Sequence, residues 1–337
     1  MKSSQALSAQ QIIKQLIPSK STTKAQGFGE APVNIALSKY WGKRQVSLNL
    51  PTNSSLSISL PGLGTQTHLS LVENNDNTED QAWLNGKRLA GDSEFAGRLS
   101  RYLDLFRPAH HYFKIDTINS VPTAAGLASS ASGYAALVKA LNDLFDWQLN
   151  QRSLSILARL GSGSASRSLF DGFAIWHKGQ AEDGMDSFAE ALPETWAGLC
   201  IGLVKIDTTE KPIGSTAGMQ KTVNTCELYQ AWPTQAERQV KLIQQAIQEH
   251  DFTLIGETAE HNALSMHATM IATWPPILYW QAESVLAMQK VWQLRQQGVE
   301  VYFTMDAGPN LKLIFLEPNK NAVKAAFQEL DVIQPFG

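Results

Sequence analysis

The sequence predicts an α+β fold, because its strand and helix signals do not alternate one for one along the chain. Strand and loop signals fill residues 27–72, whereas helical periodicity dominates residues 237–297. The chain has 337 residues, which is enough for about two domains of ordinary size. Apolar residues make up 43 % of it, a proportion typical of a folded protein with a sizeable core.

The first half of the chain is predicted to be rich in strands. They are expected at residues 34–37, 56–60, 69–72 and 82–84. Asn85 and Gly86 follow the fourth strand and form a two-residue hairpin signal. A helix is predicted at residues 95–106, and a fifth strand at residues 112–118 completes this part of the chain.

Helices become more frequent from residue 134 onwards. They are predicted at residues 134–145, 154–160, 237–250, 252–268, 279–297 and 322–330. Strands are predicted at residues 173–176, 197–206, 299–305 and 311–316. A change of character near residues 190–210 indicates a domain boundary. At the other end, residues 1–22 form an extension, in which apolar residues at helical spacing precede Pro18. This pattern fits either a short helix packed on the body or an ordered tail.

Charge and cysteine content exclude several classes of protein. Lys plus Arg is 28 and Asp plus Glu is 31, so the net charge is −3 and attracts neither nucleic acid nor an anionic membrane. The two cysteines, Cys200 and Cys226, are too few for a disulfide framework or a cysteine-built zinc site. No run approaches the roughly 20 apolar residues of a membrane span. We therefore expect a cytoplasmic protein.

Residues 122–132 form the first segment that indicates chemistry. Gly126 permits unusual backbone angles, and the small residues around it allow a ligand to approach the main chain closely. The amides of a loop that enters a helix bind anions, and Ser129 and Ser130 add hydroxyl groups for phosphate or Mg²⁺. The same pattern fits a helix start capped by serine. It is not the common Gly-x-x-x-x-Gly-Lys loop, because no lysine follows.

Two further segments combine basic residues with small or aromatic ones. Arg167 lies among the glycines and serines of residues 161–168, and its planar guanidinium matches carboxylate and phosphate groups. A flexible loop with a solvated arginine is the alternative. Lys39 and Lys43 lie four residues apart with two aromatic residues between them, which suits a phosphorylated substrate. The alternative is a strand end whose lysines reach towards solvent.

Asp306 lies at the end of a predicted strand, close to Gly308. An aspartate in this position can be a catalytic base or simply a turn former. The seven histidines show no metal-ligand spacing, so no metal site is predicted from a direct motif. Among them, His267 fits either a cleft or a satisfied position within a helix. No nucleophile elbow and no His-Glu-x-x-His motif occurs in the sequence.

Taken together and in this order, these segments resemble the diphosphomevalonate decarboxylase family. This family belongs to the superfamily of galactokinase, homoserine kinase, mevalonate kinase and phosphomevalonate kinase (GHMP). The matching segments are residues 31–60, 121–132, 161–168, 215–219 and 302–310. The loop at residues 122–130 identifies only the superfamily, whereas residues 39–43 together with residues 305–310 indicate the decarboxylase. The resemblance covers about residues 27–330.

The resemblance implies a two-lobed GHMP kinase-like fold with the active site in a cleft between the lobes. The expected parts are an extension of residues 1–22, a nucleotide-binding lobe of residues 23–195 and a C-terminal lobe of residues 196–337. The implied reaction phosphorylates the 3-hydroxyl of mevalonate 5-diphosphate with ATP and then eliminates phosphate and CO₂. Its product is isopentenyl diphosphate. The resemblance also implies ATP and Mg²⁺ as cofactors and a homodimer.

The resemblance assigns roles to individual residues. Asp306 would orient or deprotonate the 3-hydroxyl, Arg167 would contact the carboxylate and the transferred phosphoryl group, and Lys39 would lie near the reacting centre. The substrate-binding positions are Tyr40, Lys43, Ser162, Ser164 and Ser215. The ATP-binding positions are Gly126, Leu127, Ser129, Ser130, Thr117 and Asn119. Ser130 is also the candidate for a contact with Mg²⁺.

The sequence differs from the family pattern at two positions. Gln45 stands where many members have an acidic residue, and Thr216 stands where some bacterial members have an arginine. The alternatives to the decarboxylase are a monophosphate decarboxylase, a mevalonate kinase and a nucleotide-binding sensor without activity. The presence of Asp306, Arg167 and Lys39 favours the decarboxylase over all three.

Overall fold

The computed structural model describes residues 8–73, 79–121, 129–207, 209 and 213–337. Over these residues the fold is α+β, which confirms the predicted class. The described strands form a seven-stranded sheet, a four-stranded sheet and a two-stranded ribbon. The division of the chain into an extension and two lobes stays a prediction.

The seven-stranded sheet and the ribbon are built from the first nine strands. These are β1 Gly27–Ser38, β2 Lys43–Gln45, β3 Leu50–Pro51, β4 Ser55–Glu73, β5 Gln81–Leu84, β6 Lys87–Arg88, β7 His111–Asn119, β8 Phe173–Trp176 and β9 Ala189–Ala191. The sheet has the order β6-β5-β7-β4-β8-β9, with β1 antiparallel to β4, while β2 and β3 form the ribbon. Asn85 and Gly86 have φ values of 50° and 75° and turn β5 into β6, as predicted.

The fourth strand, β4, is longer than predicted. It is one strand of 19 residues, whereas two separate strands were expected at residues 56–60 and 69–72. Its pairing with β1 is interrupted after Leu60 and resumes at Gly64, so the ladder bulges but does not end. Between these residues Gly62 has a φ of 75°, and the proline before it has no amide hydrogen. These two residues explain why the sequence pattern predicts two strands here and the structure has one.

A long helix packs closely on the first sheet. The helices of the described residues are α1 Ala9–Leu16, α2 Glu94–Leu103, α3 Ser129–Leu144, α4 Gln151–Gly161, α5 Ser215–Thr225, α6 Trp232–Glu249, α7 Phe252–Ile271, α8 Ala282–Gln296 and α9 Lys320–Ala326. Helix α3 packs against β1 so closely that a Cβ added at Gly27 would lie 2.2 Å from the main-chain oxygen of Ala140. At Gly29 the corresponding distance to the main-chain oxygen of Ala136 is 2.1 Å. These contacts fix the height and direction of α3 over the sheet.

The four-stranded sheet forms the second half of the fold. It contains β10 Leu199–Val204, β11 Val301–Met305, β12 Leu311–Leu316 and β13 Asp331–Ile333, all antiparallel and in the order β11-β12-β10-β13. Helix α7 packs between β11 and β1. One hydrophobic core contains Ile35 of β1, Ile255 and Ala259 of α7, and Tyr302 of β11. This core joins the two sheets and brings the end of β1 close to the end of β11.

The N-terminal extension contains a helix, the first of the two forms that the sequence allowed. Helix α1 begins with a capping box, in which the Ser8 side chain accepts the amide of Gln11 and the Gln11 side chain accepts the amide of Ser8. Ile12 and Ile13 are buried. The helix therefore packs on the body of the protein.

Four strands and one α-helix of the described residues were not predicted, namely β2, β3, β9, β13 and α5. The four strands have only two or three residues each, which is too short for a detectable periodicity. Helix α5 has 11 residues, of which Gly218, Met219 and Thr222 are buried. Such a small and mixed buried face gives no recognisable amphipathic pattern.

Candidate active site

A cleft of about 270 Å³ opens where the end of β1 approaches the loop after β11. Three elements distant in sequence supply the residues predicted to be catalytic. Lys39 follows β1, Arg167 follows the short 3₁₀ helix Gly163–Ser166, and Asp306 follows β11. The predicted substrate-binding residues also line it, namely Tyr40, Lys43, Ser162, Ser164 and Ser215. The structure therefore brings the predicted catalytic and substrate-binding residues together.

Asp306 places a carboxylate between two ammonium groups. Its Oδ1 lies 2.9 Å from Nζ of Lys39, and its Oδ2 lies 3.3 Å from Nζ of Lys312. The loop itself is held by another residue, Asn310, whose Nδ2 donates to the main-chain oxygen of Asp207 at 2.8 Å and whose Oδ1 accepts the Asp207 amide at 2.9 Å. Asn310 therefore holds the turn, and Asp306, whose side chain is 27 % exposed, lines the cleft.

The ammonium group of Lys39 is buried in the protein and does not reach towards solvent. Its side chain is only 2 % exposed, and Nζ donates to the main-chain oxygen of Ala36 at 2.7 Å. The main chain of Lys39 is held on both sides, by Oδ1 of Asn262 at 2.7 Å and by Nδ2 of Asn53 at 2.8 Å. Burial lowers the pKa of Lys39 to about 8, although the nearby carboxylate of Asp306 opposes this shift. Lys39 is thus a rigidly placed cation.

Arg167 is also buried, with a residue exposure of 2 %. Nη1 donates to the hydroxyl of Ser55, and Nη2 donates to Oδ1 of Asn34 at 3.4 Å. The Asn34 amide in turn donates to the Ser168 hydroxyl at 2.7 Å. Burial lowers the pKa of Arg167 to about 10, and the charge of Asp306 partly offsets this shift. Within the described residues, Nε of Arg167 has no hydrogen-bond partner. These contacts exclude a solvated loop arginine.

A polar group of side chains lies around Lys43. Nζ of Lys43 donates to Oδ1 of Asn49 at 2.7 Å, and burial lowers the pKa of Lys43. The side-chain amide of Asn49 is anchored on the main-chain oxygens of Arg159 and Leu160, at 2.9 and 3.1 Å. Ser215, which also lines the cleft, opens helix α5, and the amides of a first helical turn favour an anion. These groups are suited to binding phosphate.

Tyr40 forms an aromatic wall of the cleft. Its ring meets the ring of Trp176 edge-on, with 4.8 Å between the centroids. A Cβ added at Gly163 would lie 2.8 Å from both rings, so only glycine fits beside them. Within the described residues the Tyr40 hydroxyl is buried without a hydrogen-bond partner, and burial raises its pKa. A buried hydroxyl of this kind is available to a ligand.

A second hollow of about 220 Å³ adjoins the cleft. Its walls are mainly apolar and include Trp83, Leu89 and Ile115, whereas Thr117 and Asn119 provide polar groups. Four residues line both the hollow and the cleft, namely Phe95, Arg98, Ser130 and Tyr134. The two spaces therefore meet at the start of α3 and along one face of α2.

The predicted phosphate loop is only partly described. Gly126 and Leu127 lie outside the described residues. Ser129 is the first residue of α3, and Ser130 follows it at the junction of the hollow and the cleft. The helix N-terminus is therefore located where the sequence interpretation requires it. The anion-binding role of the loop stays a prediction.

The sequence interpretation missed several residues of the site. They are Asn34, Asn49, Ser55, Trp83, Arg98 and Lys312. A signal existed for Lys312, because it interrupts an apolar strand. None existed for Trp83 or Arg98, since neither belongs to a recognisable motif.

His267 is a satisfied histidine of helix α7, although it also lies next to the site. Its Nε2 lies 3.0 Å from the main-chain oxygen of Asp306. A carbonyl oxygen only accepts hydrogen bonds, so Nε2 carries the proton and donates. Burial lowers the pKa of His267 to about 4, which keeps the ring neutral near pH 7. The ring thereby supports the main chain at the catalytic loop.

Two kinds of feature are absent from the described residues. Nowhere in these ranges do three or more His, Cys, Asp or Glu side chains form a group that could hold a metal ion. No helix within the same ranges has the length and apolar character needed to cross a membrane.

Comparisons with known proteins identify the family of the chain. The family model described as diphosphomevalonate decarboxylase-like N-terminal domain matches residues 31–189. The family model described as mevalonate 5-diphosphate decarboxylase C-terminal domain matches residues 201–334. The diphosphomevalonate decarboxylase of Candida albicans is 38 % identical over 307 residues, which cover 87 % of this chain and 85 % of that protein.

Solved structures give the same result. The mevalonate diphosphate decarboxylase from Staphylococcus aureus has a TM-score of 0.86 and 39 % identity, covering 92 % of this chain and 95 % of that one. The structure named MDDEF in complex with MVAPP, AMPPCP and magnesium has a TM-score of 0.84 and 39 % identity, covering 92 % of this chain and 96 % of that one.

Proposed function

The chain belongs to the diphosphomevalonate decarboxylase family, and we propose that it catalyses the ATP-dependent decarboxylation of mevalonate 5-diphosphate. The products are isopentenyl diphosphate, ADP, phosphate and CO₂. One observation carries the assignment of the chemistry to this cleft. The carboxylate of Asp306, in contact with Lys39, lies in the same cleft as the buried guanidinium of Arg167.

In this proposal Asp306 binds the 3-hydroxyl of the substrate. An ionised carboxylate accepts the hydrogen bond of that hydroxyl and takes up its proton as the oxygen attacks the γ-phosphorus of ATP. A tertiary alcohol is a weak nucleophile, so its orientation matters as much as its deprotonation. Asp306 suits this task because it lies at the rigid end of β11 and a neighbouring side chain holds the turn.

Arg167 and Lys39 supply positive charge to the two steps. During phosphoryl transfer, negative charge spreads over the oxygens of the transferred group, and fixed cations stabilise it. In the second step the C3–O bond breaks with loss of phosphate, and the C1–C2 bond releases CO₂ while its electrons form the C2–C3 double bond. Arg167 would pair with the leaving phosphate and with the carboxylate until it departs. Its unpartnered Nε and its burial support this role.

The diphosphate of the substrate would bind among the polar residues of the cleft around Lys43. Lys43 supplies a partly buried ammonium group there, and Ser215 lies at the N-terminus of α5. Ser162 and Ser164 supply hydroxyl groups, which lie 3.4 Å apart. Tyr40 supplies a phenol hydroxyl that has no partner within the described residues. Binding of this remote tail would position the 3-hydroxyl against Asp306.

ATP would bind with its base in the apolar hollow and its phosphates at the junction with the cleft. Trp83 and Ile115 offer apolar surface to the base, and Thr117 and Asn119 offer hydrogen bonds. The N-terminus of α3, with Ser129 and Ser130, favours the phosphates. Mg²⁺ neutralises phosphate charge when it is bound. Since magnesium usually keeps phosphate and water ligands, the hydroxyl of Ser130 would add a protein contact to them.

We also propose that the enzyme is a cytoplasmic homodimer. Both cysteines are buried free thiols, which supports a reducing compartment. The dimer rests on the resemblance to the family. Light scattering coupled to size exclusion tests it, and a molar mass of one chain at micromolar concentration would contradict it.

The reaction is tested by incubating the protein with ATP, Mg²⁺ and one of three compounds: mevalonate, its 5-phosphate or its 5-diphosphate. We expect equal amounts of ADP and CO₂, and isopentenyl diphosphate as the product of the diphosphate. ADP without CO₂ would indicate a kinase, and CO₂ from the monophosphate alone would indicate a monophosphate decarboxylase. Binding of ATP with neither product would indicate a sensor. Asp306→Asn is the control for contaminating activity.

A further inference from the structure

Lys312 is a buried lysine in the middle of a sheet. It belongs to β12, which lies between β11 and β10, and its other residues from Leu311 to Phe315 are apolar. The side chain is 2 % exposed. Burying an ammonium group in such surroundings is unfavourable unless an anion pairs with it. Packing of the strand alone therefore does not explain why a lysine occupies this position.

The register of the β11–β12 hairpin gives the reason. Lys312 lies directly opposite Thr304 on β11. Because side chains alternate along a strand, Asp306, two residues after Thr304, emerges on the same face. Nζ of Lys312 accordingly lies 3.3 Å from Oδ2 of Asp306, while Nζ of Lys39 contacts Oδ1 at 2.9 Å. Each oxygen of the carboxylate thus faces its own ammonium group.

The other groups near Asp306 do not duplicate this contact. Arg167 interacts with Asp306 through its charge and hydrogen-bonds to Ser55 and Asn34. His267 donates to the main chain of Asp306 and is neutral near pH 7. Lys39 and Lys312 are the described lysines that form ion pairs with the carboxylate itself.

We propose that Lys312 is a positioning residue of the active site, which binds the second oxygen of Asp306. This contact keeps the carboxylate ionised and fixes its orientation about the Cβ–Cγ bond. This inference rests on the proposed function. With Lys39 alone, the carboxylate could rotate about its Cβ–Cγ bond, and its orientation towards the 3-hydroxyl would be lost. A second cation also opposes protonation of the carboxylate at acidic pH.

The test measures kcat/KM against pH for Lys312→Met and Lys312→Gln, which remove the charge, and for Lys312→Arg, which keeps it. Loss of the cation raises the pKa of Asp306, so the acid limb should move to higher pH, by about one unit. We expect kcat to fall about tenfold or more while KM changes less than about threefold. Lys312→Arg should recover the acid limb of the parent. Each variant is also compared with the parent by its Tm.

The matched control is Lys205→Met. Lys205 follows β10 in the same sheet and pairs with Asp331 at 2.7 Å, away from the cleft. Its removal should leave the acid limb unchanged. If the parent is active, any of three results would overturn the role of Lys312. The pH profiles of the Met and Gln variants could superimpose on that of the parent, the acid limb of Lys205→Met could shift equally, or neither uncharged variant could fold. A parent that releases no CO₂ would overturn the proposed function as well, so the two failures are distinguishable.

Discussion

Replacing Arg167 by alanine gives the most demanding test of the proposed chemistry. The change removes a guanidinium that is almost completely buried and is held by Ser55 and Asn34. Its Nε has no partner within the described residues, so the group is arranged for ligands as well as for the fold. In the variant, the carboxylate and the transferred phosphoryl group would both lie in a buried site without this cation.

The size of the effect follows from the hydrogen bonds that alanine cannot make to the substrate. A hydrogen bond to a charged group contributes about 1.5–3 kcal/mol, and Arg167 is assigned two anionic partners in the transition state. Without both of them the transition state is destabilised by about 3–6 kcal/mol, which corresponds to a fall in kcat/KM of about 10²- to 10⁴-fold. Since charge on the phosphoryl oxygens builds up during transfer, kcat should fall more than KM rises.

The assay measures ADP and CO₂ release at saturating ATP, together with the Tm of each variant. Arg159→Ala is the matched control, because Arg159 is buried too but donates to the main-chain oxygens of Leu48, Gly184 and Ser187. We expect this control to lower Tm while kcat/KM falls by less than about tenfold. Arg167→Ala with kcat/KM within about threefold of the parent would refute the reasoning, since no anion could then depend on the guanidinium.

The other charges of the cleft are tested in the same assay. Asp306→Asn keeps the shape of the side chain but removes the base, so turnover should fall by about 10³-fold or more. Calorimetry should still detect substrate binding, and near-normal turnover would exclude Asp306 as the base. The pKa of about 8 for Lys39 predicts that kcat/KM falls as pH rises above about 8, because deprotonation removes the cation that contacts Asp306. A profile of kcat/KM that stays flat to pH 10 would contradict this prediction. The diphosphate should be preferred over the monophosphate by at least about tenfold in kcat/KM, equivalent to about 1.4 kcal/mol, and Lys43→Ala should reduce this preference. Equal turnover of both compounds by the parent would contradict the assignment of Lys43 to the tail.

The sequence predicted those parts of the site that lie in continuous segments. Lys39 and Lys43 belong to one stretch of chain, and Arg167 lies within one glycine- and serine-rich segment, so local sequence patterns are enough to identify them. Whether such a residue is buried or solvated could not be predicted in this way. The main chain of Lys39 is held by Asn53 and Asn262, and Asn262 is 223 residues away in the sequence. Only the folded chain brings these groups together.

Strand register is the second kind of information that the sequence interpretation lacked. It identified both β11 and β12, yet it did not pair Lys312 with Asp306, because that contact depends on which residue lies opposite Thr304. In β4, Pro61 and Gly62 suggested a break that the antiparallel partner bridges. In both cases the neighbouring strand determines the outcome, and local propensity does not.

The charges of the cleft explain why such a site is arranged before its substrate binds. Lys39, Lys312 and Arg167 surround one carboxylate, so positive charge exceeds negative charge among the groups that face Asp306. The lowered pKa values of Lys39 and Arg167, about 8 and about 10, reflect the unfavourable burial of these cations. In the proposed reaction, the substrate carboxylate and the transferred phosphoryl group would supply the missing negative charge. The fold therefore bears the free-energy cost of assembling the cations in advance, and little reorganisation remains for the transition state.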